Sequence, residues 1–235
     1  MPPLVLTFAA SDPTGGAGLQ ADLLTIAAHG CHALSVLTAV TVQDTRGVER
    51  IEALRAELIT QQAKCLLAES TVAAFKVGVL GSLENARAVA SIAAEHARVP
   101  LVLDPVLASG RGDPLASEEA ISAIVPHAIV VTPNTLEAKR MGGPQALLAR
   151  GCRYVLVTGT HDATPEVVNR LYDARGVVRE DRWPRLPGNY HGSGCTLASA
   201  IAAGLAKGSE VPDAVAAAQQ FTWRALQAAF SSGKG

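Results

Sequence analysis

The chain has 235 residues and neither a Pro/Ser/Gly-rich linker nor a charge block to divide it, so one domain spanning 1–235 is expected. A net charge of −1 and the lack of an aromatic-and-basic stripe exclude general attraction to nucleic acid or an anionic membrane, so anion recognition has to be local. With 49% hydrophobic but only 4% aromatic residues, the core is one of Ala, Val, Leu and Ile, ample for packed α/β layers.

In chain order, short β-rich runs alternate with longer Ala-rich helical ones, the pattern of a sheet with helices on its faces. LVLTFA reads as a first strand, LQADLLTIAAHG as a helix ending at Gly30, and ALSVLTAVTVQ as a second strand. A helix over AELITQQAKCLLAE precedes the strand AFKVGVL; then come the helix SLENARAVASIAAEH, the strand LVLDPV and the helix SEEAISAIV. AIVVTPN ends a strand at Pro133, YVLVTG ends another at Gly159, and RLYDARGVVRE turns at Ala174 to Gly176 as a hairpin. Two helices, from about Cys195 and about Asp213, close the chain.

The opening MPPLVLTFAASD lacks a basic n-region and reaches Asp12 too soon for a signal peptide, and no apolar run of about 18 residues follows. A cytoplasmic protein is expected. Cys31, Cys65, Cys152 and Cys195 lie far apart with no CxxC pair, which suits reduced thiols rather than a disulfide framework or a zinc site.

Polar and glycine-rich clusters follow the C-terminal ends of the expected strands, where open α/β sheets bind ligands. SDPTGGAGLQAD matches neither the Walker A spacing nor the dinucleotide fingerprint and has no Lys, so Gly15, Gly16 and Gly18 instead let the backbone wrap a small ligand. Asp12 and Asp22 bracket this loop, and Asp12 also suits a local cap in a tight turn. Gln43, at a strand end, offers a donor and an acceptor together, as the edge of an aminopyrimidine requires.

TPNTLEAK sets Asn134 and Glu137 three apart on one face of a first helical turn, where they can hold the waters of Mg²⁺ or act as cap and first-turn acid. Asp104, in LDPV, suits a structural carboxylate or a magnesium-side acid. VLVTGTH places Thr158, Gly159, Thr160 and His161 where nucleotide phosphates could lie. In NYHGSGCTLASAIAAGLA, Gly192, Ser193 and Gly194 lead into a helix whose unpaired N–H groups would receive an anion. The same field would favour a thiolate at Cys195, although a small residue packed at a helix start is the plainer reading.

Taken in order, SDPTGGAGLQAD, DTRG, KVGVL, LDPV, GDPL, TPNTLEA, VTGTH and HGSGCTLASAIAAG resemble the hydroxymethylpyrimidine/phosphomethylpyrimidine kinases of thiamin biosynthesis, members of the ribokinase-like superfamily. The resemblance covers nearly the full chain. It implies a three-layer sandwich with a central, mostly parallel sheet, ATP and Mg²⁺ as cofactors, a small pyrimidine substrate and a homodimer. It also implies that Cys195 is the base, with Gly192, Ser193 and Gly194 forming an anion hole. Ala17, Asp22, Gln43 and Val79 would line the pyrimidine pocket, Asn134, Glu137 and Asp104 would serve the metal, and Thr158, Gly159 and His161 the nucleotide. Three features depart from the family pattern: Ala10 in place of a frequent Gly, VLASGRG in place of a loop that often carries Lys, and a short Lys139 to Tyr154 segment. Rival readings are a pyridoxal or pyridoxine kinase and a non-catalytic pyrimidine-binding regulator. A Cys195/His191 hydrolase is disfavoured, because the pair is only four apart and no orienting Asp or Asn is identifiable.

Overall fold

In the computed structural model, residues 1–108, 112–113, 115–188 and 190–233 are described. The chain begins with β1 (Leu4–Ser11), α1 (Gly18–Ala28), β2 (His32–Asp44), β3 (Gly47–Ala53), α2 (Ala56–Glu69) and β4 (Val72–Val77). It continues through α3 (Leu83–Glu95), β5 (Leu101–Leu103), α4 (Glu118–Ile124), β6 (Val130–Val131), α5 (Thr135–Arg140) and α6 (Pro144–Ala149). The last elements are β7 (Tyr154–Val157), β8 (Glu166–Asp173), β9 (Gly176–Pro184), α7 (Ser193–Ala206) and α8 (Val211–Gln227).

The strands form one sheet in the order β3-β2-β1-β4-β5-β6-β7-β8-β9. Pairing is parallel from β2 through β7 and antiparallel at β2–β3, β7–β8 and β8–β9. Successive side chains of a strand point to opposite faces, and the core divides accordingly. Leu6, Phe75, Leu103, Val131 and Val155 pack with α2, α3, α4 and α6 on one face. Val5, Ala74, Val102, Val130 and Leu156 pack with α1, α7 and α8 on the other. The expected three-layer arrangement is therefore present, and even the two-residue β6 supplies one side chain to each face.

The Ala-rich composition of α7 has a packing reason. Leu197 to Leu205 are all buried, and a Cβ on Gly204 would lie 3.0 Å from Ala214 Cβ, so small residues let α8 close over α7. The helix begins at Ser193 rather than at Cys195, with Gly192 in the left-handed region at φ 82°. Gly194 is thus absorbed into the first turn, its cost of about 1 kcal/mol against Ala outweighed by the burial that follows.

Two further differences follow from context. β3, GVERIEA, has no buried residue and was not legible as a strand; it exists by pairing with β2 and keeps a charged outer edge. The short Lys139 to Tyr154 segment still covers the sheet, because Met141 and Leu147 are buried in the core. Ala10 is likewise buried, so its methyl group is housed in the core. Of the VLASGRG loop, Ser109, Gly110 and Arg111 lie outside the described residues.

Candidate active site

The loop between β1 and α1 is built on Asp12. Its carboxylate accepts hydrogen bonds from Thr14 N (2.8 Å), Thr14 Oγ1 (2.8 Å), Ala17 N (2.7 Å) and His191 Nε2 (2.9 Å). Burial pushes this carboxyl up, but the bonds from His191, Thr14 and Ala17 outweigh it and hold the pKa at about 2. Asp12 is thus the local cap that the turn chemistry suggested. Ala17 lies beside it, partly exposed at the start of α1.

His191 also approaches Gln43, with 3.4 Å between His191 Nε2 and Gln43 Nε2. One ring nitrogen cannot donate to Asp12 and accept from Gln43 together, and the 2.9 Å bond to Asp12 is the stronger. Gln43 Oε1 accepts from Thr41 Oγ1 at 2.7 Å, so the amide is oriented by β2 itself while its donors are left for a ligand. Asp12 is an orienting acid for His191 that sequence did not reveal. No His191–Cys195 hydrogen bond occurs among the described residues, however, and the charges that act on the Cys195 thiol are those of Lys76, Asp104 and Asp22.

Beneath the loop lies an ionic cluster that sequence reading missed. Lys76, in the middle of the apolar β4, is fully buried and its Nζ lies 2.8 Å from Asp22 Oδ1. Gly78 makes the space, since a Cβ there would come within 2.8 Å of Lys76 Nζ. Burial works against the Lys76 charge, but Asp22 and Asp104 outweigh it and raise its pKa. The signal was available: a lysine inside AFKVGV breaks an apolar strand and has to find a carboxylate.

Asp22 lies at the centre of this cluster. Asp22 is 0% exposed, and Thr7 Oγ1 (2.6 Å), Ser199 Oγ (2.7 Å) and Lys76 all donate to it. Its carboxylate holds Lys76 in place, and any pyrimidine contact would be additional to that pairing. Val79 is partly exposed at the end of β4, and its carbonyl accepts from Thr38 Oγ1 at 2.6 Å.

The start of α7 faces these groups. A Cβ at Gly192 would overlap the Gly16 carbonyl, and one at Gly194 would lie 3.6 Å from Asp104 Oδ1. The helix thus begins wedged between the glycine loop and the end of β5. Its first intrahelical bond is Thr196 N to Gly192 O at 2.9 Å, which leaves the N–H groups of Ser193, Gly194 and Cys195 without a partner in the helix. The expected thiolate does not form. Although Cys195 is partly exposed, burial of its thiol pushes the pKa up to about 12; Asp104 and Asp22 add to this, and Lys76 does not reverse it.

Asn134 caps α5, accepting from Leu136 N and Glu137 N at 2.9 Å, while Glu137 Oε2 accepts from Asn134 N at 2.9 Å. The capping role is therefore occupied, and any metal role would be additional to it. Glu137 Oε1 accepts from Leu107 N at 3.3 Å. Burial, reinforced by the charge of Asp104, pushes Glu137 up to about 7. Burial and Asp22 also raise Asp104 against the opposing Lys76, and its Oδ2 is buried with no hydrogen-bond partner among the described residues. An unpartnered buried carboxylate oxygen near a second crowded carboxylate fits a hydrated divalent cation. No cluster of three His, Cys, Asp or Glu occurs among the described residues.

The Glu137 shift makes a prediction. The native state binds this proton more tightly than the unfolded chain, so the resulting stability is complete below pH about 4.5 and is lost as pH rises through about 7. The ligand-free protein should show a fall in Tm over that window, and Glu137→Gln, which keeps a capping acceptor, should flatten it. Identical thermal profiles across pH would contradict the assignment.

At the end of β7, Thr158 is buried and pairs with the cap of α5, its carbonyl accepting from Thr135 N at 3.1 Å. Gly159 donates its N–H to Asn169 Oδ1 at 3.1 Å, so that group is already used within the protein. His161 is exposed at the loop tip. Arg185, which sequence reading passed over, binds the main chain of this loop.

A parallel sheet whose ligand-bearing edge joins a close-wrapped loop, an open helix start and paired carboxylates provides what phosphoryl transfer to a small molecule demands: positioning and charge neutralisation. That is the design of the ribokinase-like kinases. The phosphomethylpyrimidine kinase family matches residues 12–235, and the chain belongs to it. It is 42% identical over 254 residues to the hydroxymethylpyrimidine/phosphomethylpyrimidine kinase of Streptomyces coelicolor, covering 100% of this chain and 92% of that one. Among solved structures, it resembles phosphomethylpyrimidine kinase from Clostridium difficile (TM-score 0.81, 32% identity, 95% and 99% coverage). It also resembles an ADP complex of Bacillus subtilis pyridoxal kinase (TM-score 0.88, 28% identity, 99% and 95% coverage). The chain is a kinase, and its fold and family are those that its ordered motifs implied.

Proposed function

We propose that this kinase transfers the γ-phosphoryl group of ATP to 4-amino-5-hydroxymethyl-2-methylpyrimidine, and then phosphorylates the resulting monophosphate to the diphosphate. The observation that carries this reading is the order of the residues along the sheet edge. Gln43 lies at the C-terminal end of β2, and the glycine loop and Val79 follow β1 and β4; Asp104 and Asn134 follow β5 and β6; Thr158 and Gly159 follow β7. On this reading the pyrimidine, metal and nucleotide would succeed one another at strand spacings of about 4.8 Å, with the α7 start between the first two. The ADP held by the B. subtilis neighbour supports an adenine nucleotide as donor.

In this reading Gln43 orients the aminopyrimidine and Ala17 and Val79 border it. The N–H groups of Ser193, Gly194 and Cys195 receive the transferring phosphoryl oxygens. Cys195 accepts the hydroxymethyl proton. Its thiol is protonated at neutral pH, so that proton has to leave as the new one arrives, and the Asp104 carboxylate, whose charge acts on this thiol, is the group that would take it. Mg²⁺, held through water by Asp104, Glu137 and Asn134, would neutralise phosphate charge. Lys76 adds a fixed positive charge beneath the site, with Asp22 as its anchor.

ATP consumption measured with hydroxymethylpyrimidine, its monophosphate and pyridoxal, with product masses recorded, tests the proposal. Turnover with pyridoxal alone would favour the second reading, for which the pyridoxal kinase neighbour is the supporting observation. Pyrimidine binding without ATP consumption would point to a regulator. A cytoplasmic location and a homodimer belong to this proposal as well; reduced, unpaired cysteines support the first and the family resemblance the second.

Two variants test residue roles. Glu137→Gln should lower kcat with little change in pyrimidine affinity, and normal turnover across a Mg²⁺ titration would remove the metal-side role. Gln43→Ala should weaken pyrimidine binding by about 1–3 kcal/mol, the cost of leaving a buried ligand polar group unpaired, with ATP affinity hardly moved. Calorimetry giving an unchanged pyrimidine Kd would refute it.

A further inference from the structure

The 159–164 segment after β7 is folded around one guanidinium. Arg185 Nε donates to Thr164 O (2.7 Å), Nη1 to Thr160 O (2.7 Å), and Nη2 to Asp162 O (2.7 Å) and Gly159 O (3.2 Å). The Arg185 main chain joins the same segment, its N–H donating to Pro165 O at 3.1 Å. No carboxylate pairs with Arg185 among the described residues, so its side chain is committed to main-chain carbonyls and the Thr164 hydroxyl. Four carbonyl dipoles aimed at one point repel each other unless a cation sits there, and only a planar fork of five donors satisfies them together.

We infer that Arg185 is a positioning residue for nucleotide binding, acting through the 159–164 loop without touching the reacting atoms. The inference rests on the kinase reading above, which places the nucleotide at this loop. With the guanidinium present, the loop carbonyls turn inward and the outer face keeps one conformation; the second fixed point is Gly159 N–H on Asn169, itself bonded to the buried Gln219 at 2.8 Å. Without it, the loop would hold the binding shape for only a fraction of the time, and apparent nucleotide affinity falls by that fraction. The pyrimidine residues lie at the C-terminal ends of β1, β2 and β4 or just beyond them, several strands away, and should not sense the change.

The test compares the whole protein with Arg185→Ala and Arg185→Lys, the latter retaining the charge but not the fork. The expected result is a rise of about tenfold in the ATP KM and the ADP Kd, with pyrimidine KM unchanged and faster amide exchange over 159–164. Arg185→Lys should recover little of the nucleotide affinity. Unchanged ADP affinity in both variants, or an equal rise in both KM values, would overturn the inference and leave Arg185 with a structural role only. If Arg185→Ala does not fold, Arg185→Lys alone decides. A wild-type protein that binds ADP but phosphorylates no pyrimidine would overturn the functional reading while leaving the loop measurement valid; one that does not bind ADP would overturn both.

Discussion

Cys195→Ala is expected to slow phosphorylation of the hydroxymethyl alcohol by about 10²-fold or more, the usual loss when general-base help is removed, and to slow phosphorylation of the monophosphate far less. The alcohol has to shed a proton as it attacks phosphorus. A phosphate monoester, whose second pKa is about 6, is already ionised near neutral pH and needs no base. The N–H groups of Ser193, Gly194 and residue 195 survive in the variant, so the anion hole is kept in both steps. Single-turnover rates with each substrate measure the two steps separately. Because the ligand-free thiol stands at about 12, the comparison is demanding: a neutral thiol that only packs would give no loss in either step. Equal losses would mean that Cys195 serves the shape of the helix start.

The second large effect is on stability. Lys76→Met should cost about 3–5 kcal/mol, because removing one member of a buried ion pair leaves the other charge uncompensated. Asp22 and Asp104 would then share a buried site with no cation, and Asp22 has no solvent-facing surface through which to relax. The methionine chain fills most of the space of the lysine stem, so packing loss is the smaller part. Urea denaturation of the ligand-free protein measures it. Adding Asp22→Asn to the variant should recover part of the loss, since the amide removes the charge, accepts from one of the Thr7 and Ser199 hydroxyls and donates to the oxygen of the other. A single variant within about 0.5 kcal/mol of wild type, the range of ordinary surface substitutions, would show that the pair is not an electrostatic anchor.

Much of the architecture was legible because its causes are local. Alternating β-rich and Ala-rich runs reported the sheet and its helical layers, and the Asn134–Glu137 spacing reported the start of α5, since capping involves residues only three apart. The polar clusters at the strand ends marked the ligand-bearing edge. The ordered motifs pointed to the family that residues 12–235 match.

What needed the tertiary structure was everything set by groups distant in sequence. β3 is stable only as a partner of β2, and nothing in GVERIEA marks a strand by itself. The pairing of Asp22 with Lys76, 54 residues away, is invisible in the sequence around either residue. Arg185 reads as one more surface arginine until the fold brings four loop carbonyls around it. The thiol of Cys195 shows the limit most clearly. Its place at a glycine-rich helix start is written in a few consecutive residues and argues for a thiolate, yet its protonation is decided by burial and by the carboxylates of Asp104 and Asp22. Sequence determines local backbone preference and the periodicity of apolar faces; desolvation and charge pairing depend on which distant side chains the fold brings together.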